Sequence, residues 1–183
     1  MRRKIYVFLI MIGVAILYSC NITVKQDENK TISAENKILQ QEDGTISLKV
    51  EKAACYSDMS NPSSNTAEWS VVVSKSGRFN VWLSSATKDT TNLQYKNSVL
   101  LSILDNRLEA RPGCDKIIRN STDVIYPYFR ADSFMGSLYI QDTGIYNIQV
   151  ISEKIVPQDN KNDGSSVNET SKLLSVFLTP ITR

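Results

Sequence analysis

Histidine is missing from all 183 residues of the chain. Without imidazole there is no Ser-His-Asp or Cys-His nucleophile pair, no His-Glu zinc site, and no side chain whose ordinary pKa lies near neutrality. Cysteine is scarce at three residues, and neither sign of charge is in excess: 21 Lys+Arg against 19 Asp+Glu leaves +2. That balance supplies no field able to neutralise a run of phosphates, so nucleic acid is excluded as a partner. The carboxylates Asp105, Glu109, Asp115 and Asp132 have no spacing that brings two into facing positions for acid-base work, and no enzyme is expected. What is present suits a folded domain with extras. The chain is 42% hydrophobic and 8% aromatic, enough to bury a core.

The longest apolar run, 5–17, is well short of the roughly 20 residues of a membrane-spanning helix, although a single anchor with a free Cys20 is the alternative to weigh. It follows the cationic start Met1-Arg2-Arg3-Lys4, as the h-region of a signal peptide does. It ends in Leu17-Tyr18-Ser19-Cys20, which resembles the lipobox of bacterial lipoproteins, Tyr18 being bulkier than the usual occupant. The resemblance implies that 1–19 is cleaved, that Cys20 is acylated, and that the protein is held by lipid in the cell envelope at the outer membrane. Cleavage removes three cations and no acid, leaving 18 Lys+Arg (21 minus 3) against 19 Asp+Glu, a balance of −1. Residues 20–43 are rich in Asn, Lys, Gln, Glu and Asp and are expected to form a tether, with a first strand within 32–39 as the alternative. The two remaining cysteines, Cys55 and Cys114, suit either a disulfide in an oxidising compartment or two buried thiols.

From Gly44 to the end the hydrophobic period is two, not 3.6. Ile46, Leu48 and Val50 share one face, as do Phe79, Val81 and Leu83, and later Leu174, Val176 and Leu178. Turn chemistry at Ser74-Lys75-Ser76-Gly77, Asp105-Asn106 and Asp142-Thr143-Gly144 predicts three β-hairpins. Short strands at this spacing predict an all-β fold, an antiparallel β-sandwich over 44–183.

Two segments share a pattern, Gly77-Arg78-Phe79-Asn80-Val81 and Gly144-Ile145-Tyr146-Asn147-Ile148. With Asp43-Gly44-Thr45-Ile46-Ser47-Leu48-Lys49-Val50-Glu51 and the closing Leu174-Ser175-Val176-Phe177-Leu178-Thr179-Pro180, they resemble the jelly-roll, galactose-binding-like carbohydrate-binding modules of families 6 and 35. The resemblance implies a non-catalytic glycan-binding domain. It also implies a structural calcium ligated by the glutamate of the first strand, here Glu51, yet the last strand offers Lys172, Ser175 and Thr179 and no aspartate to complete the oxygen cage. Sugar binding needs aromatic faces and a few polar groups. Loop candidates are Tyr56, Tyr95, Tyr126 and Tyr128 with Arg111, Arg130 and Asp132, and Trp82 is the candidate on a sheet face, since its neighbours point inward. Trp69 is expected in the core, and Tyr126-Pro127-Tyr128-Phe129 reads equally as a packed crossover. Two functions follow: a lipid-anchored protein holding glycan, or an interaction subunit showing Trp82 and the tyrosine-rich loop to another envelope protein.

Overall fold

A computed structural model describes residues 37–155 and 171–181, so the expected signal peptide, Cys20, most of the expected tether and the polar loop 159–166 lie outside the described residues. The strands are β1 (Ile38–Leu39), β2 (Ile46–Lys49), β3 (Ala54–Tyr56), β4 (Thr66–Val73), β5 (Gly77–Thr87), β6 (Val99–Ile103), β7 (Asn106–Ala110), β8 (Lys116–Ile118), β9 (Phe129–Ile140), β10 (Gly144–Ile151) and β11 (Ser171–Pro180). They form two sheets. The first runs β1-β4-β10-β6-β7 with β3 also on β4, and the second β2-β11-β5-β9-β8. Every pairing is antiparallel except β1 with β4, so the chain is an all-β sandwich.

Alternation builds the core. Ile46 and Leu48, Trp69, Val71 and Val73, Phe79, Val81 and Leu83, Leu101 and Ile103, Ile148 and Val150, and Val176 and Leu178 are all buried between the sheets. The Trp69 indole packs there as expected and donates to the Lys49 carbonyl at 2.9 Å. One end of the interior is polar, with Ser85, Thr87, Ser133 and Ser171 buried, and loop 88–98 closes it. Leu93 fills the apolar gap, Thr87 Oγ1 donates to the Asp89 carbonyl, Ser171 Oγ to the Leu93 carbonyl, and Ser133 Oγ to that of Gly113. Among the described residues no buried side-chain nitrogen or oxygen lacks a partner, which keeps the cost of burying these hydroxyls small.

Only one of the three expected hairpins is a hairpin. β6 and β7 pair in one sheet around Leu104 and Asp105, with Leu104 at φ 50°. β4 and β5 lie in different sheets, as do β9 and β10. Residues 74–76 and 141–143 are therefore arches that carry the chain across the roughly 10 Å between sheets. The fold also starts before Gly44. Ile38 and Leu39 pair with Val71 and Val72, and the Gln40 side chain clamps the first arch: Oε1 accepts from the backbone N–H groups of Ser74 and Lys75, while Nε2 donates to the Gly44 carbonyl at 2.7 Å.

Two bulges flank β5. On β11 the extra residue is Leu174, so Leu173, and not Leu174, faces the core. On β9 the pairing passes from Val81↔Gly136 to Trp82↔Phe134, leaving Met135 as the extra residue. Gly136 has φ 123°, and a Cβ there would come within 2.9 Å of Leu108 Cδ1 on β7.

Cys55 and Cys114 are free thiols. Cys55 is on β3, outside β4 at one edge of the sandwich, and Cys114 leads into β8, outside β9 at the other. At about 4.8 Å per strand, the strands between them exceed the roughly 7 Å that a disulfide can bridge, so the disulfide alternative is set aside. Burial pushes both thiol pKa values up, and Asp89 and Asp115 add to the shift at Cys114.

Two outcomes check this description. Gly136→Ala should destabilise the chain by about 1–3 kcal/mol in urea unfolding, and a Leu108→Ala background should not restore the loss, since the strain is in the backbone. Unfolded without reductant and treated with iodoacetamide, both Cys55 and Cys114 should be alkylated. Folded, they should react more slowly near neutral pH than a fully solvated cysteine, because a raised pKa lowers the thiolate fraction.

Candidate functional site

With Phe79, Val81 and Leu83 turned inward, β5 presents Trp82 on the outer face of its sheet, in register with Phe177 of β11 and Phe134 of β9. The three rings form a row across three strands. Trp82 stacks on Phe177 with centroids 6.4 Å apart and planes at 7°, and meets Phe134 at 5.1 Å and 53°. Phe134 is 44% exposed, so the row keeps open ring surface at that end. Each ring arrives by alternation, but Phe134 and the polar Ser137 share the outer face only because the bulge adds one unpaired residue, Met135, between them.

Above the row lies a charged network. The Asp132 carboxylate, only 3% exposed, accepts from Ser84 Oγ at 2.5 Å, from Arg130 Nε at 2.8 Å and from Arg130 Nη2 at 3.1 Å. Arg130 Nη1 reaches Asp123 Oδ2 at 2.8 Å, and Lys49 Nζ lies 3.8 Å from Asp123 Oδ1. The guanidinium also sits 5.5 Å from the centre of the Phe177 ring. Burial alone would lower the Arg130 pKa, but its hydrogen bonds and charge pairing with Asp132, then Asp123, raise it. Arg130 is therefore a fixed cation bridging the sheet and the loop above it.

That loop, 119–128, crosses the same face and is tied down through Asp123. With Ala86 of β5 and Lys172 of β11, its residues Asp123, Val124, Ile125, Tyr126 and Tyr128 enclose a cavity of about 320 Å³. Tyr126 is 86% exposed and precedes a cis peptide bond to Pro127, and Lys88 Nζ stands 5.0 Å over the Tyr128 ring. The face thus gathers aromatic rings, tyrosine hydroxyls and cations on one surface, with the Asp132 carboxylate buried beneath Arg130.

Five of the residues expected from sequence meet here: Trp82, Tyr126, Tyr128, Arg130 and Asp132. Three do not. Tyr95 is buried in the core, sharing a hydrogen bond with Ser85 at 2.9 Å, and burial followed by the nearby Glu153 charge pushes its hydroxyl far above the ordinary range. The alternation Leu93-Gln94-Tyr95 that seals the interior turns it away from solvent. Arg111 extends β7 and donates to the carbonyls of Tyr95 and Lys96, pinning loop 88–98. Tyr56 is exposed on β3, at the edge of the opposite sheet.

Glu51 lies exposed in a short 3-10 turn, Val50–Lys52, that follows β2, and β11 places Ser175 opposite Lys49. Among the described residues no group of three or more Cys, Asp or Glu side chains gathers that could hold a metal ion, around Glu51 or elsewhere. Phe134, Phe177 and Asp123 join the site without being among the candidates that the sequence offers. Phe177 was open to the alternation argument, since Val176 and Leu178 point inward; Phe134 was not, because the bulge breaks the parity of its strand.

No family model and no curated protein matches the chain. Among solved structures, the α-L-fucosidase from Vibrio sp. strain EJY3 aligns with TM-score 0.58 and 18% identity over 79% of this chain and 24% of that one. A GH26-CBM35 β-(1,4)-mannanase from Podospora anserina aligns with TM-score 0.45 and 11% identity over 77% of this chain and 28% of that one. The mosquito-larvicidal Cry4Aa toxin from Bacillus thuringiensis follows at 0.48 and 12%, over 81% and 25%. The chain spans about a quarter of the length of each of these proteins, and its likeness to the fucosidase is one of fold, a β-sandwich shared at low identity.

Proposed function

We propose that this chain is a non-catalytic, lipid-anchored protein of the bacterial cell envelope that binds glycan on the outer face of its β5-centred sheet. The observation that carries the reading is the row Phe134-Trp82-Phe177 beside the Arg130–Asp132 pair. Aromatic faces take the apolar sides of pyranose rings, and the Arg130 guanidinium, held in place by the buried Asp132, supplies oriented donors for hydroxyls. The lipobox ending at Cys20 supports the anchor, which would hold the bound saccharide at the outer membrane. Lack of histidine supports binding without turnover, as do carboxylates already engaged in the fold: Asp132 by Ser84 and Arg130, and Asp115 by the Phe134 N–H.

A second reading, an interaction subunit of an envelope protein complex, is favoured by the projection of Ile125 and Tyr126, 85% and 86% exposed, from loop 119–128.

A glycan array probed with the full chain in detergent, followed by calorimetry on the hits, separates the two. On the glycan reading at least one oligosaccharide binds, and Trp82→Ala and Phe177→Ala each weaken it about tenfold, a loss of about 1–2 kcal/mol. If no glycan binds, and Tyr126→Ala or Trp82→Ala changes only the oligomeric state or co-purifying partners, the chain is an interaction subunit.

A further inference from the structure

The outer face of the β5–β9 pair continues beyond the aromatic row. Register sets Ser84 opposite Asp132, Trp82 opposite Phe134, Asn80 opposite Ser137, and Arg78 opposite Tyr139. Ser137 Oγ donates to Asn80 Oδ1 at 2.7 Å, which makes the third pair a polar step between the rings and the arginine. The track ends at a second cavity, about 220 Å³ in volume, where β7 passes the exposed edge of β9. Its lining brings Arg107 of β7 to the same space as Arg78 of β5, together with Asn106, Ser137 and Tyr139. Asn106 Nδ2 donates to the Tyr139 carbonyl at 3.3 Å, bracing β7 against β9.

The two guanidiniums are the unusual part. Among the described residues neither Arg78 nor Arg107 has a side-chain hydrogen bond, an ion pair or a ring contact, although Arg130 on the same sheet is paired twice. Each guanidinium presents five N–H donors in a planar fork suited to two oxygens of one anion. The cavity counts two such arginines and no carboxylate among its lining residues, a local excess of positive charge on a domain that is otherwise near neutral. Trp82 lies four positions along the strand from Arg78, about 13 Å in extended backbone, which a short oligosaccharide can span.

We propose that the Arg78–Arg107 cavity is an oxyanion subsite that takes the carboxylate or sulfate of an acidic sugar lying along the β5–β9 track. The inference rests on the glycan reading above and specifies its ligand class: an acidic glycan whose neutral rings stack on Trp82 and Phe134 while a charged substituent enters the cavity.

Calorimetry on the full chain in detergent tests this with three probes: an oligogalacturonate, its fully methyl-esterified form, and an oligosaccharide bearing sulfate esters in place of carboxylates. The acidic forms should bind at least tenfold more tightly than the ester, and the preference should shrink as salt is raised. Arg78→Gln and Arg107→Gln should each remove most of that preference while leaving affinity for the ester and the thermal midpoint unchanged, and whichever acidic probe loses more identifies the natural anion. Equal binding of acid and ester, or a preference that survives both substitutions, overturns the proposal while leaving the glycan reading in place. If no oligosaccharide of any kind binds, the glycan reading itself has failed, and inorganic sulfate then tests the cavity alone. A rise in thermal midpoint with sulfate that both substitutions abolish keeps the oxyanion site, and no rise overturns it.

Discussion

A β-strand with one buried face can turn a given parity of residues outward for only as long as its register holds, and β9 changes parity in the middle. Without the extra residue at Met135, a strand showing Phe134 to solvent would also expose Leu138 and Ile140 and bury Ser137 and Tyr139. The bulge lets Leu138 and Ile140 enter the core while Phe134, Ser137 and Tyr139 stay on one outer face. It needs a positive φ and room against Leu108, and Gly136 supplies both. The continuous outer track from Asp132 to Arg78 therefore depends on one glycine. The bulge at Leu174 plays the same part on β11, keeping Lys172, Ser175 and Phe177 on the same outer side.

The arches show why local sequence stops short of topology. Ser74-Lys75-Ser76-Gly77 and Asp142-Thr143-Gly144 have the residues of tight turns, and the chain does reverse there. Whether it returns within its own sheet or in the facing one depends on which strands compete for the free backbone edge. β4 is taken up by β10 on one side and by β1 and β3 on the other, so β5 has no edge of its own sheet-mate to join and pairs instead with β11 and β9. These partners are distant in sequence, and no short window contains them. Pairing of this kind is what makes a two-sheet sandwich out of strands that look like a row of hairpins.

Much of the site was legible for the same reason that the core was. Alternation places Trp82 outward once Val81 and Leu83 are inward, and it would have placed Phe177 too. Arg130 and Asp132 stand two apart on one strand, so they share a face by periodicity alone; that they bind each other, with Asp132 buried beneath, follows from Ser84 on the neighbouring strand. Tyr95 misled because a tyrosine in a polar loop reads as exposed, whereas this loop folds inward to cap a core end lined with serines. Arg111 misled in the same way, its guanidinium being used to hold that loop.

Composition and period two, by themselves, determined that this chain forms a β-sandwich, that its apolar residues divide between an inner and an outer face, and that histidine-based chemistry has no place in it. Those conclusions depend only on residue type and on the geometry of a single strand. Tertiary structure decided which strands are neighbours, that Cys55 and Cys114 stand at opposite edges, and that rings from β5, β9 and β11 form one row. It also brought Arg107 to Arg78 across the gap between sheets. Each depends on how segments far apart in the chain are placed, by competition for hydrogen-bonding edges and by the parity that bulges reset, and none is written in any one stretch of residues.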